Sequence, residues 1–245
     1  MCRHLVHVGE PVSPASLVLD PPHALQVQAW APRHQRHGTV NADGFGAGWY
    51  VDTRPEPVRY RRPQPIWADA SFVSLAPTVT SRAVLAAVRD ATPGFAAADE
   101  SCTAPFTHGR WLFSHGGALA DWPRARKGLV DRTLDVPEAA APVDSALLFG
   151  VAVAAWSAGA SLGEGLAETV RAAVAHGGGR VNLTATDGST AAATSYGDPL
   201  FVLETGTGVT LASEPYDDDP RWRQMPDSCL VTTDGRALDV AHLDG

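Results

Sequence analysis

The chain has 245 residues, 44% of them hydrophobic and 19% charged, the balance of an ordinary globular protein. Its formal net charge is −8 and it carries no basic tract, which argues against a nucleic-acid partner. No apolar run reaches the ~18 residues of a membrane span, and His4, His7, Gly9 and Glu10 break any signal-peptide pattern, so a cytoplasmic protein is expected.

No linker and no internal repeat interrupts the chain, so residues 1–245 are read as one domain. The three cysteines, Cys2, Cys102 and Cys229, are odd in number and far apart, which disfavours a disulfide framework; Cys102 and Cys229 are taken as structural. No C-x-x-C pair suggests zinc.

In chain order, Arg3 to Val8 is β-compatible and ends at the turn Glu10 to Pro14. Cys2, His4, Val6 and Val8 then share one face, with Arg3, Leu5 and His7 on the other. A zinc site from Cys2, His4 and His7 is disfavoured, because period two sends His7 to the opposite face. A short apolar piece, Leu17 to Leu19, stops at Asp20-Pro21-Pro22. His34 and His37 are read as solvated loop histidines. Gly44, Gly46 and Gly48 lead into an aromatic strand start. This spacing is not the dinucleotide fingerprint, and such glycines let another backbone or a substrate approach closely. Residues 52–70 read as a surface hairpin or loop. Ser81 to Ala91 is ambiguous between strand and helix, 95–109 is irregular, and Trp111-Leu112-Phe113 is a strand running into Ser114-His115-Gly116-Gly117.

The clearest helices lie within 144–176. Asp144 or Ser145 can cap the first, which runs through Trp156. Ser161 can cap the second, which places Leu162, Leu166, Val170 and Val174 on one face and closes at Gly177-Gly178-Gly179. Strands are expected over 180–186, 190–196, 200–204, 209–212, 230–233 and 237–241, separated by Asp-Gly and Gly-rich turns. Strands, two helices, then antiparallel strands imply a layered α+β fold.

Cys2 stands out on chemical grounds. Removal of Met1 would leave a thiol and a free α-amine on one residue, titrating at about 8.5 and about 7.7–8.0. A nucleophile carrying its own general base is one way to activate a weak nucleophile.

Met1-Cys2-Arg3, Asn41-Ala42-Asp43-Gly44-Phe45-Gly46, Val88-Arg89-Asp90-Ala91-Thr92, Trp111 to Gly117, Asp144-Ser145 and Ala212-Ser213-Glu214-Pro215 occur in this order. Together they resemble the class II glutamine amidotransferase domains. Within that superfamily, Leu17 to Pro22, Asn41 to Gly44 and Ser213 to Asp219 with Trp222 look most like the γ-glutamyl amidohydrolases of ergothioneine biosynthesis. The resemblance covers nearly the whole chain. It implies the four-layer αββα sandwich of N-terminal nucleophile hydrolases and no cofactor or metal. The implied reaction is hydrolysis of the γ-glutamyl amide of γ-glutamyl-hercynylcysteine S-oxide to glutamate and hercynylcysteine S-oxide. No synthase domain follows to receive ammonia, so a stand-alone amidohydrolase is expected.

On the same resemblance, Cys2 attacks the γ-carbonyl and its α-amine relays the proton. Arg89 clamps the α-carboxylate, a contact that suits a planar guanidinium, and Asp144 holds the α-ammonium; Thr92 accompanies Arg89. Read alone, Arg89 is a surface arginine and Asp144 a helix cap. Where the family has an Asn-Gly oxyanion pair, this chain has Gly116-Gly117. The Gly117 N–H remains, and either His115 or the N–H of Gly116 substitutes for the amide, or the enzyme is slow, or it takes another γ-glutamyl amide. Asn41, Asp43 and Gly44 are expected near the nucleophile, although Asn-x-Asp-Gly is also turn chemistry. Ser213, Glu214 and Tyr216 are expected to line the leaving-group side. Asp217 to Asp219 reads as a solvated loop, and Trp30, Trp49, Trp67, Trp111 and Trp222 are candidates for cation–π contact with a trimethylammonium group. The competing readings are a glutaminase or acylase of the same fold and a non-catalytic γ-glutamyl-binding homologue. Oligomeric state stays open.

Overall fold

The computed structural model describes residues 2–91 and 99–243. Strand β1 (Arg3–Val12) is followed by the short helices α1 (Pro14–Val18) and α2 (Leu25–Gln28), then by β2 (Phe45–Trp49) and β3 (Val58–Arg62). Helix α3 (Ala70–Leu75) precedes β4 (Ser81–Val88), and β5 (Phe106–His108) pairs with β6 (Trp111–Leu119). Helices α4 (Trp122–Leu129), α5 (Asp144–Ser157) and α6 (Leu162–His176) come next. The last third holds β7 (Gly179–Thr186), β8 (Ala191–Ser195), β9 (Phe201–Thr205), β10 (Gly208–Ala212), β11 (Arg223–Gln224), β12 (Cys229–Thr233) and β13 (Leu238–His242).

The strands form two antiparallel sheets, ordered β11-β9-β10-β1-β4-β2-β3 and β13-β12-β8-β7-β6-β5. Val6, Val8, Leu85, Leu112, Leu211 and Val231 pack between them. Leu5, Phe45, Phe72 and Val84 pack on the outer side of the first sheet with residues of α1, α2 and α3. Phe113, Phe149, Leu166 and Val170 pack on the outer side of the second with α4, α5 and α6. The result is the expected αββα order of layers.

Burial on both faces explains why Ser81 to Ala91 has no readable period. Strand β4 is apolar on each side, between β1 and β2, and only the partners distinguish it from a buried helix. The close approach expected of the β2 glycines is present. A Cβ on Gly48 would stand 2.6 Å from the Leu112 side chain of the facing sheet. Strand β1 runs past the expected stop at Glu10, through a register shift between Val8 and Val12. Helix α6 starts as expected, with a capping box between Ser161 and Glu164. Helix α5 does not: Val143 is its N-cap with no side-chain cap, and Asp144 lies inside the first turn.

Candidate active site

Cys2 immediately precedes β1, the central strand of its sheet. The β1–β4 register sets Arg3 opposite Val88, which brings the segment leaving β4 alongside the thiol. One cleft is lined by Cys2, Arg89 and Asp90, by Cys102, Thr103 and Phe106 near β5, and by His115, Gly117, Asp144 and Ser145. Cys2 as a residue is half-buried. Burial pushes its pKa up, and the amino-terminal charge, Arg89 and a hydrogen bond from the Asp90 backbone pull it partly back. A thiol held up in this way needs a base beside it.

Arg89 is buried. Its N–H donates to the Gly44 carbonyl at 2.8 Å and its Nη1 to the Asp43 carbonyl at 3.1 Å. Asp43 donates its own N–H to the Arg89 carbonyl at 2.9 Å and accepts the Ala91 N–H at 2.8 Å. Asn41 donates its side-chain amide to the Gln28 carbonyl and to Gln35 Oε1. Asn41, Asp43 and Gly44 are not among the described residues that line the cleft; the Asp43 carbonyl holds the Arg89 guanidinium and the Gly44 carbonyl its backbone N–H. Thr92 lies outside the described residues.

Asp144 faces the cleft, 4% exposed. Its Oδ2 accepts the Leu119 N–H at 3.1 Å and its Oδ1 the Ser145 N–H at 2.8 Å. The helix-cap reading of Asp144 fails on that geometry, because the carboxylate is tied to the end of β6. Arg89 and Asp144 thus bring opposite charges into the cleft that holds Cys2, the pattern a zwitterionic α-amino acid end requires.

Gly117 lines the cleft with φ +139°, and a Cβ there would sit 2.1 Å from the Arg180 carbonyl oxygen, so only glycine fits. His115 also lines the cleft, but both ring nitrogens are engaged: Nε2 donates to the Arg180 carbonyl at 3.1 Å and Nδ1 meets Ser145 Oγ at 3.1 Å. It is therefore not free to stand in for the oxyanion amide. A side chain at Gly116 would meet His4 and the Cys2 carbonyl.

Ser213, Glu214 and Tyr216, expected on the leaving-group side, are not among the described residues that line the Cys2 cleft. Ser213 Oγ accepts the His4 N–H at 2.9 Å and donates to the His4 carbonyl at 3.1 Å. Glu214 accepts the backbone N–H groups of Arg33 and His34, each at 2.9 Å, and lies 3.9 Å from the buried Arg3 guanidinium. Tyr216 is buried edge-on against Trp222. These residues brace β1 and the loop after α2, and none lines the Cys2 cleft. The acidic run is locally paired: Asp217 accepts the Trp222 indole N–H, Asp218 meets His23 and Arg33, and Asp219 binds Arg221. Trp30 and Trp67 are exposed and pack edge to face at 5.6 Å.

Sequence reasoning missed Asp90, Thr103, Phe106 and Ser145 as lining groups, and assigned Cys102 to structure although it lines the cleft. Asp90 had a usable signal, since it directly follows Arg89. Ser145 had the same signal, since it directly follows Asp144, whereas Thr103 and Phe106 come from a segment with no period that meets the cleft only in the folded chain.

His4 and His7 lie on opposite faces of β1, as period two requires. His4 reaches Ser114 and Thr184 of the facing sheet, and His7 reaches Thr210. Burial, with Arg3 and His115 nearby, lowers the His4 pKa to about 3, and burial lowers that of His7 to about 4. Unfolded histidines titrate near 6.5. Both folded values are depressed, so the unfolded chain binds more protons below that pH and stability is lost as pH falls. At pH 5.5, about one unit below the unfolded value, each histidine costs roughly 1.4 kcal/mol, or about 3 kcal/mol for the pair. Tm should drop about 5–10 °C between pH 7.5 and 5.5. His7→Asn, which keeps a polar atom toward Thr210, should remove about half of that drop. An unchanged drop in the variant would exclude His7 as a source.

No protein-family profile matches the chain. The solved structure of a glutamine aminotransferase class-II domain protein from Silicibacter pomeroyi superposes with a TM-score of 0.72 at 22% identity, over 100% of both chains. The glutamine phosphoribosylpyrophosphate amidotransferase of B. subtilis gives 0.73 at 12% identity, over 100% of this chain and 49% of that one. The fold is therefore that of class II glutamine amidotransferase domains. The γ-glutamyl-hercynylcysteine sulfoxide hydrolase of Mycolicibacterium smegmatis is 47% identical over 94% of this chain and 95% of its own length. That of Mycobacterium tuberculosis is 42% identical over 100% and 97%. With such identity sustained along its length, and with a cysteine, an arginine and an aspartate gathered in one cleft, the chain belongs to the γ-glutamyl-hercynylcysteine sulfoxide hydrolase family.

Proposed function

We propose that this protein hydrolyses the γ-glutamyl amide of γ-glutamyl-hercynylcysteine S-oxide through Cys2, after removal of Met1. The observation that carries the reading is the meeting of Cys2, Arg89 and Asp144 in one cleft, a nucleophile between a cation and an anion. The substrate in the relatives' name supplies the leaving group. Arg89 takes the α-carboxylate and Asp144 the α-ammonium, which sets the γ-carbonyl over the sulfur. The freed α-amine of Cys2, directly or through a water, removes the thiol proton that burial otherwise retains. The thiolate adds to the carbonyl, the Gly117 N–H meets the oxyanion, and collapse expels the amine with the proton returned from the ammonium. Water then hydrolyses the γ-glutamyl thioester. Three unpaired cysteines fit the reducing cytoplasm proposed as its location.

The test is glutamate release from the sulfoxide and from glutamine in parallel, with Met1 removal verified by intact mass. Release from the sulfoxide at least about tenfold faster is expected. Faster release from glutamine would move the activity to a glutaminase, and release from neither would sink it.

A further inference from the structure

The tetrahedral intermediate needs more than one donor for its oxygen, and removing a single such donor typically costs about 10²–10³ in kcat. Residue 116 has no side chain to give one, and His115 is committed on both nitrogens. His4 is the remaining polar ring at this place. A Cβ built on Gly116 would lie 3.2 Å from His4 Cε1 and 3.4 Å from both His4 Nε2 and the Cys2 carbonyl oxygen. The edge of the imidazole therefore borders the space that a side chain at 116 would enter, beside the nucleophile's own backbone.

The proton position follows from the neighbours. His4 Nδ1 lies 3.1 Å from Ser114 Oγ and 3.3 Å from Thr184 Oγ1. With either hydroxyl donating to Nδ1, the ring proton sits on Nε2. Nε2 has no hydrogen-bond partner among the described residues, although His4 is 1% exposed. Burial and the neighbouring Arg3 keep the ring neutral, with a pKa of about 3.

We propose that the His4 Nε2–H is the side-chain donor of the oxyanion hole, acting with the Gly117 N–H where an asparagine at 116 would offer its amide. This rests on the hydrolase reading of the same site. As the sulfur adds, the C=O electron pair moves onto oxygen and is held by the two N–H groups. On collapse the pair returns and the C–N bond breaks, its proton coming from the Cys2 ammonium. His4 donates a hydrogen bond throughout and exchanges no proton.

His4→Ala should lower kcat about 10²–10³-fold with KM within about threefold of wild type. Adding Gly116→Asn to that variant, in the space the ring vacates, should restore at least about tenfold. Adding Gly116→Leu, of similar size but without a donor, should restore nothing. Equal rates for the two double variants, or an unchanged kcat in His4→Ala, would overturn the proposal. Gly116→Asn with His4 retained should gain little, because the ring already supplies the donor; an equal gain from Gly116→Asn with and without His4 would mark His4 as structural and overturn the proposal. Independently of turnover, ¹⁵N imidazole NMR of the wild-type protein should give His4 as the Nε2–H tautomer. That proton should move downfield when glutamate γ-semialdehyde forms a hemithioacetal with Cys2. An Nδ1–H tautomer, or no movement once the adduct has formed, would overturn the donor role even in an active enzyme. The shift in a protein that cleaves no γ-glutamyl amide would support the donor and overturn only the hydrolase reading.

Discussion

Cys2→Ala should fold as the wild type does and release glutamate at least about 10⁴-fold more slowly from any γ-glutamyl amide. The residue lies just outside β1 and is half-buried as a whole, so truncation removes little core contact. A change in stability below about 1 kcal/mol is expected, within the range of surface substitutions and small truncations. Chemistry, by contrast, loses the atom that forms the thioester. Cys2→Ser is nearly as inactive, because a hydroxyl lies far above a thiol in pKa and the α-amine is a poor match for it. The discriminating measurement is intact mass after rapid acid quench. Wild-type protein lacking Met1 should gain the mass of one γ-glutamyl group during turnover, and Cys2→Ala should not. Turnover persisting in Cys2→Ala would place the nucleophile elsewhere, with Cys102, on the same cleft, the next candidate. Wild-type protein that retains Met1 should behave like Cys2→Ala, since a peptide bond removes the base while leaving the thiol in place.

The parts of the fold legible in the sequence are those set by local rules. Ser161 and Glu164 form the capping box whose spacing announces it, and Val6 and Val8 face one way with Leu5 facing the other because a strand alternates. The parts that stayed hidden depend on partners remote in sequence. Ser81–Val88 is apolar on both faces, so no period separates strand from helix until β1 and β2 flank it. Asp144 reads as a cap because it opens an apolar helix, yet its carboxylate answers the Leu119 N–H at the end of β6. Glu214 lies next to a strand end and reads as a pocket group, whereas its oxygens satisfy two backbone N–H groups of a loop 180 and 181 positions earlier. Cys2 is legible from its place behind Met1, whereas Arg89 and Asp144 come only from the resemblance. Nothing in composition or spacing joins three residues that meet only when β1, β4 and α5 pack.

Removing the Arg89 guanidinium should lower kcat/KM by roughly 10²–10³-fold, the effect of losing one partner of a buried charge-assisted pair worth about 3–4 kcal/mol. Arg89→Lys should recover only part of this, because an ammonium keeps the charge but lacks the two-pronged fork that fits a carboxylate. The guanidinium also donates to the Asp43 carbonyl, so a bare loss of activity could reflect a displaced turn and would not assign the contact. Substrate truncation separates the two. A γ-amide lacking the α-carboxylate should be poor for wild type and no poorer for Arg89→Ala, since each change removes the same interaction. Asp144→Asn should show the matching behaviour toward a γ-amide lacking the α-amine. It will also lose some stability, because an amide cannot accept from both the Leu119 and Ser145 N–H groups. The crossed pairs, Arg89→Ala with the amine-free amide and Asp144→Asn with the carboxylate-free one, should be additive. If the penalties were additive in the matched pairs as well, neither residue would touch the glutamyl end, and the charge pattern of the cleft would need another ligand.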